Sequence, residues 1–174
     1  MSDRLAVFHQ YLLPKQALTA FAGWVASGRW GGVTTAIIRR FVRKYRVDMS
    51  EAHNPAIESY ASFNDFFTRP LRAGARPIAQ APLVCPVDGA ISRFGPIAGD
   101  QIFQAKGHHY STTALVGGDA VLAARFDHGH FATIYLAPRD YHRIHMPCDG
   151  RLVRMIHVPG DLFSVNPATA RGAR

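Results

Sequence analysis

The spacing of the apolar residues changes once along the chain, and that change narrows the possible folds more than any other feature. Between Phe21 and Arg46, the residues Trp30, Val33, Ile37, Phe41 and Tyr45 recur three and four apart, and Ile38 and Val42 widen the stripe. At about 100° per residue they form one broad helical face, with Arg39, Arg43 and Arg46 opposite and Arg40 and Lys44 toward its flank. An earlier segment, Gln16 to Ala26, brings Leu18, Phe21, Trp24 and Val25 into a second short helical pattern. Further on, the runs AISRF, AVLAARF, FATIYLA and RLVRMIHV are short, partly alternating and separated by Gly, Pro or Asp, as antiparallel strands are. Helices first and strands after predict an α+β protein whose β-rich part is a mainly antiparallel sheet or a partly closed barrel.

Charge follows the same division. The chain has 174 residues and a net charge of +8. Residues 1–46 hold eight of its basic residues and a single acid, Asp3, so nearly all the excess lies in the first quarter. Such a segment calls for an anionic partner, nucleic acid or an acidic membrane surface. Helices with an aromatic, apolar face and an arginine-rich face suit a membrane interface, where apolar burial and attraction to anionic lipid add together. The alternative is a helical hairpin packed on its own domain with its basic face in water. No recognisable nucleic-acid-binding module accompanies the basic face, so nucleic acid is not expected. No stretch reaches the roughly 18 apolar residues of a spanning helix, and MSDRLAVFHQYLLPK lacks a cleavable signal pattern. Cys85 and Cys148 stand far apart in no metal-type spacing, and two buried thiols in a reducing compartment are expected.

Three stretches carry candidate chemistry. In SYASFNDFFTRPLRAGARP, Ser62 or Asn64 is placed to cap a short helix bearing Phe63, Phe66 and Phe67, with Pro70 ending it and an extended connection following to about Val84. The tetrapeptides PVDG (Pro86–Gly89) and PCDG (Pro147–Gly150) each precede a predicted strand, as a weak repeat or as two turns of similar chemistry. Within YLAPRDYHRIHMPCDG, His142 and His145 lie three apart between Pro138 and Pro147, which favours a loop or strand end over a helix. Histidine transfers protons near neutral pH, and in an extended segment this spacing would give the two rings different faces and different tasks. Taken alone, Asp88 is an ordinary Asp-Gly turn residue. The spacings of His108, His109, His128 and His130 match no helix-borne ligand pair and no Cys or Glu cluster completes a set, so no metal site is expected.

Five segments in order, FNDFFTRPLR, PVDGAIS, QAKGHHYS, YLAPRDYHRIHMPCDG and VPGDLFSVNP, resemble the signature blocks of bacterial phosphatidylserine decarboxylases, and YLLPKQALTAFAGW and FVRKYRVDMSEA add to the likeness. It runs from about Tyr11 to Ala170. The resemblance implies a self-cleaving proenzyme in which Asp88 orients the imidazole of His145, His145 takes the proton of a serine hydroxyl, and that serine becomes a pyruvoyl cofactor. It further implies that His142 serves the decarboxylation of phosphatidylserine to phosphatidylethanolamine. Lys106, His108, Arg139 and Tyr141 become candidates for holding substrate phosphate or carboxylate. The implied partners are an anionic phospholipid membrane surface, at the cytoplasmic face of the cell membrane, and the pyruvoyl-bearing α chain, with a homodimer open as an assembly state. On this reading residues 1–58 are a helical, basic, membrane-associating region and residues 59–174 the first part of a β-rich catalytic domain. Family members carry a Leu-Gly-Ser-Thr cleavage motif further on, whereas the serines here, including Ser92, Ser111 and Ser164, sit in no Gly-Ser-Thr context. The pyruvoyl-forming serine is therefore expected outside this chain, and the chain alone is expected to lack the activity. A non-enzymatic membrane-surface domain and a metal-dependent hydrolase are the rival readings.

Overall fold

A computed structural model describes residues 15–103 and 109–158. The chain divides into two compact units: Phe21–Ala90 with Ile134–Arg151, and Met1–Ala20 with Ile91–Thr133 and Leu152–Arg174.

Helix α1 spans Lys15–Ser27 and α2 spans Gly32–Tyr45. The break between them has a local cause. A side chain at Gly28 would overlap the Trp30 ring, so glycine there lets the indole lie against the backbone. Thr34 Oγ1 then accepts the Trp30 N–H at 3.0 Å at the start of α2. Arg46, left-handed at φ 55° and ψ 48°, ends α2, and the Val47 N–H returns to the Val42 carbonyl at 3.1 Å. Ser62 caps α3 (Phe63–Phe67) by accepting the Asp65 N–H, while Asn64 bonds Ser27 Oγ instead.

The core of this unit forms where α2 meets α3. Ile38 and Phe66 are fully buried, joined by Val47 and Tyr60. The Phe66 ring meets Phe41 and Tyr60 edge to face, at 5.8 and 5.7 Å. Burying one such side chain stabilises the fold by about 1.5–3 kcal/mol. The buried line of α2 runs through Thr34 and Ile38, with Phe41, Val42 and Tyr45 of the predicted stripe packed against the core, while Trp30 and Val33 at the start of that stripe stay exposed. Thr34 is tolerated inside because its hydroxyl is satisfied by the Trp30 N–H and the Gly28 carbonyl.

Strand β1 (Ala90–Pro96) pairs with β4 (His130–Tyr135), and β2 (Gln101–Phe103) pairs antiparallel with β3 (His109–Ser111), matching Ile102 to Tyr110. Ser111 caps α4 (Thr112–Leu115) and Asp119 caps α5 (Ala120–Ala124). The α+β class stands, but among the described residues the strands make two small sheets and no closed barrel. AISRF and FATIYLA are strands as predicted. AVLAARF is helical, because Asp119 accepts the Leu122 N–H at 2.9 Å and alanines favour the helix that follows. RLVRMIHV forms no strand, and Leu152, Val153 and Met155 are exposed. Cys85 and Cys148 are free, as expected, but exposed where burial was expected. Cys85 lies within, and Cys148 next to, the paired segments described next rather than in the core.

Candidate active site

Two backbone hydrogen bonds bring together the segments that carry Asp88 and His145. The Val84 N–H donates to the Pro147 carbonyl and the His145 N–H to the Pro86 carbonyl, both at 2.8 Å. The two similar tetrapeptides therefore begin side by side. Gly89 is required by space: a side chain there would come within 2.6 Å of the Tyr135 carbonyl oxygen. A second join, between residues 51–53 and 70–72, is made by His53 N–H to the Pro70 carbonyl and Arg72 N–H to the Glu51 carbonyl, at 2.8 and 2.9 Å.

That second join sets Glu51 beside Arg76. The Arg76 guanidinium grips both Glu51 oxygens at 2.8 and 2.7 Å and reaches Asp88 Oδ2 with Nε and Nη2 at 2.9 and 2.6 Å. Hydrogen bonds first to Glu51 and then to Asp88 push the Arg76 pKa up from its ordinary value. Both Arg76 bonds to Asp88 fall on one oxygen. Among the described residues Asp88 Oδ1 accepts no hydrogen bond, and Asp88 and His145 are not bonded to each other.

The two histidines have different surroundings. His145 is exposed and its Nε2 lies 2.9 Å from Tyr141 Oη, with the two rings nearly parallel. His142 is half-buried, its Nδ1 lies 2.8 Å from the Asp140 carbonyl oxygen, and its ring stands 4.0 Å from that of Phe67. Arg143 fastens their loop by donating Nε–H to the Thr68 carbonyl at 2.6 Å, at the end of α3. The loop assignment made from Pro138 and Pro147 stands, since residues 141–146 are neither helix nor strand.

A cavity of about 160 Å³ opens beside this site and is lined by Asp88, Arg139 and Tyr141 together with Arg46, Arg69 and Arg76. Arg139 and Tyr141 are thus near Asp88, while Lys106 and His108 lie outside the described residues, as does most of the VPGDLFSVNP block. Glu51, Arg69 and Arg76 carried no assigned role from the sequence. Among the described residues no three His, Cys, Asp or Glu side chains gather in a way that holds a metal ion, and no helix is long and apolar enough to cross a membrane.

A family model described as phosphatidylserine decarboxylase matches residues 63–173, and a second, described as PSD, matches residues 5–46. The phosphatidylserine decarboxylase proenzyme of Methylibium petroleiphilum is 80% identical over 99% of this chain and 61% of its own length. The proenzymes of Polaromonas naphthalenivorans and Variovorax paradoxus are each 78% identical over 99% of the chain, and 60% and 61% of their lengths. The chain spans about three fifths of the length of these curated relatives. The segments brought together at Pro86 and His145 both lie inside the stretch matched by the larger family model, and on that match the chain belongs to the phosphatidylserine decarboxylase family.

Proposed function

We propose that this chain is part of a self-processing, pyruvoyl-dependent phosphatidylserine decarboxylase, in which Asp88 and His145 activate the serine that becomes the cofactor and His142 serves decarboxylation. The observation that carries the reading is the pairing of residues 84–86 with 145–147, which carries an aspartate and an imidazole on adjacent segments. Arg76 holds Asp88 by Oδ2 and leaves Oδ1 for an imidazole N–H. With Nδ1 of His145 protonated, Nε2 is an acceptor, and its 2.9 Å approach to the Tyr141 hydroxyl is a contact of the kind that a serine hydroxyl would make in the proposed step. The residues present therefore suit formation of the group. The pyruvoyl carbonyl, once formed, supplies an electron sink for loss of carbon dioxide. His142, its Nδ1 beside the Asp140 carbonyl, would present Nε2 as the group that returns a proton to substrate carbon.

The membrane part of the reading rests on the exposed rings at the α1–α2 junction. Phe21 and Trp24 are 61% and 64% exposed, and Trp24 meets Trp30 at 5.2 Å. Arg29, between Trp24 and Trp30 in sequence, and Arg40, further along α2, are exposed. Aromatic rings beside arginines suit the boundary between headgroups and acyl chains. A peripheral position on the cytoplasmic face belongs to this reading, with residues 1–58 as the docking region and residues 59–174 as the start of the catalytic domain.

The test joins this chain to the remainder of the Methylibium petroleiphilum proenzyme. His145→Ala and Asp88→Ala should each leave the chain uncut on a denaturing gel, without additive losses. His142→Ala should be cut but should release little phosphatidylethanolamine. Normal cleavage of the His145→Ala protein, or full turnover of the His142→Ala protein, overturns the assignment.

A further inference from the structure

Arg69 is 3% exposed and makes no salt bridge among the described residues; the carboxylates of Glu51 and Asp48 act on its charge only from beyond ion-pair distance. Its Nε–H meets no acceptor, and its one side-chain hydrogen bond among the described residues is a long one, 3.5 Å from Nη1 to the Phe66 carbonyl. The guanidinium otherwise rests on the face of the Phe66 ring, 5.1 Å from its centre. The carboxylates of the same cavity are engaged elsewhere. Arg76 holds Glu51 and Asp88, Asp140 accepts the Ala137 N–H at 2.6 Å, and Asp48 accepts the Ser50 N–H at 2.9 Å. A buried ion with no opposite charge in contact is unfavourable, and burial holds the Arg69 pKa below its ordinary value although Glu51 and Asp48 oppose that shift.

Arg46 joins Arg69 on the cavity lining and likewise has no ion pair among the described residues, while Arg139 reaches Asp140 only at 3.8 Å. The cavity of about 160 Å³ has room for several waters, or for one tetrahedral anion with its ester stub. The lining sets Arg46, Arg69, Arg76 and Arg139 against Asp48, Glu51, Asp88 and Asp140, and of these arginines Arg46 and Arg69 make no salt bridge among the described residues; the planar fork of a guanidinium matches phosphate oxygens.

We propose that the cavity is a phosphate-binding subsite anchored by Arg69, with Arg46 and Arg139 at its lining as supporting cations. That the phosphate belongs to a phospholipid headgroup rests on the decarboxylase reading. The subsite itself rests on the burial of Arg69 and the cavity beside it.

The experiment titrates this chain with inorganic phosphate, glycerophosphoserine and acetate at constant ionic strength, following binding by calorimetry and thermal unfolding. Saturable one-to-one binding of phosphate is expected, weakened by at least about tenfold in Arg69→Gln and partly restored in Arg69→Lys. Arg139→Gln, at an exposed position, should weaken binding several-fold with an unchanged melting temperature in the absence of anion, which keeps the test valid if Arg69→Gln misfolds. Tighter binding of glycerophosphoserine than of inorganic phosphate assigns the headgroup, and the reverse order assigns a free phosphate; either supports the subsite. No saturable binding of either, acetate bound as tightly as phosphate, or binding indifferent to both Arg69→Gln and Arg139→Gln overturns it. The cleavage assay on the joined chain reads the decarboxylase assignment separately, so each can fail without the other.

Discussion

Replacing Phe66 by alanine removes a fully buried ring at the meeting of α2 and α3. Truncation of a buried phenylalanine costs about 3–5 kcal/mol, as the transfer loss and the cavity left behind add together. The upper part of that range applies here. Phe66 makes edge-to-face contacts with both Phe41 and Tyr60, each type worth about 0.5–1.5 kcal/mol beyond buried area. It also supports the Arg69 guanidinium on its face. We expect a loss of about 4 kcal/mol, nearly a thousandfold in the folding equilibrium. Phe66→Leu keeps most of the volume and should lose about 1.5 kcal/mol, which keeps the comparison measurable if the alanine protein is largely unfolded. Urea titrations followed by the fluorescence of Trp24 and Trp30 would measure both, with hydrogen exchange of residues 32–67 as the local readout. A Phe66→Ala protein within about 1 kcal/mol of the parent, at unchanged urea dependence, would refute the claim that this ring organises the core.

Three further outcomes follow from single contacts. Burial pushes the Tyr60 phenol above its ordinary value of 10.0, so its contribution is complete below about pH 10 and lost as pH rises through the folded-state value; Tyr60→Phe, which lacks the 2.6 Å bond to the Asn54 carbonyl, should be less stable at pH 7 and should close that gap in alkaline melts. The Leu122 N–H holds Asp119 below its ordinary 3.8, so its stabilisation is present above that pH and lost as pH falls through the folded-state value; Asp119→Ala should flatten the acid limb of a melting-temperature profile, and an unchanged limb would discount the cap. In the joined chain, Arg76→Gln should slow self-cleavage by roughly ten- to a hundredfold because Asp88 loses its anchor, with Arg76→Lys recovering only part, and a time course of subunit appearance decides it.

What the sequence made legible depended on the range of the cause. Helices α1 and α2 were readable because their apolar spacing is local, and the cap of α3 because Ser62 lies three residues from the N–H it accepts. The inward face of α2 was readable at Ile38, Phe41, Val42 and Tyr45 but not at its start, since hydrophobicity alone cannot rank a satisfied Thr34 above Trp30 as a buried residue. AVLAARF misled because a five-residue helix is too short to display a period; the available signal was Asp119 ahead of an alanine-rich turn. The segments holding Asp88, His142 and His145 were found from their resemblance to a family. Glu51 and Arg76 stand 25 residues apart, and nothing local in either announces the other. Arg69 was visible as a residue of FFTRPLR, but its buried, unbonded Nε is a property of the folded chain alone.

Residue 46 sits where two demands on one side chain diverge. Its left-handed backbone is one that glycine adopts freely and that other L-residues adopt at a cost of roughly 1–2 kcal/mol, so Arg46 ends α2 at some expense to stability. Its guanidinium lies on the lining of the cavity that also holds Arg69. An engineer selecting for heat resistance alone would choose glycine there and, if the cavity takes phosphate, would discard a ligand contact without seeing it in any melting curve. A library ranked by stability and again by anion affinity should place Arg46→Gly near opposite ends of the two lists, which makes this position a point where robustness and recognition are in competition.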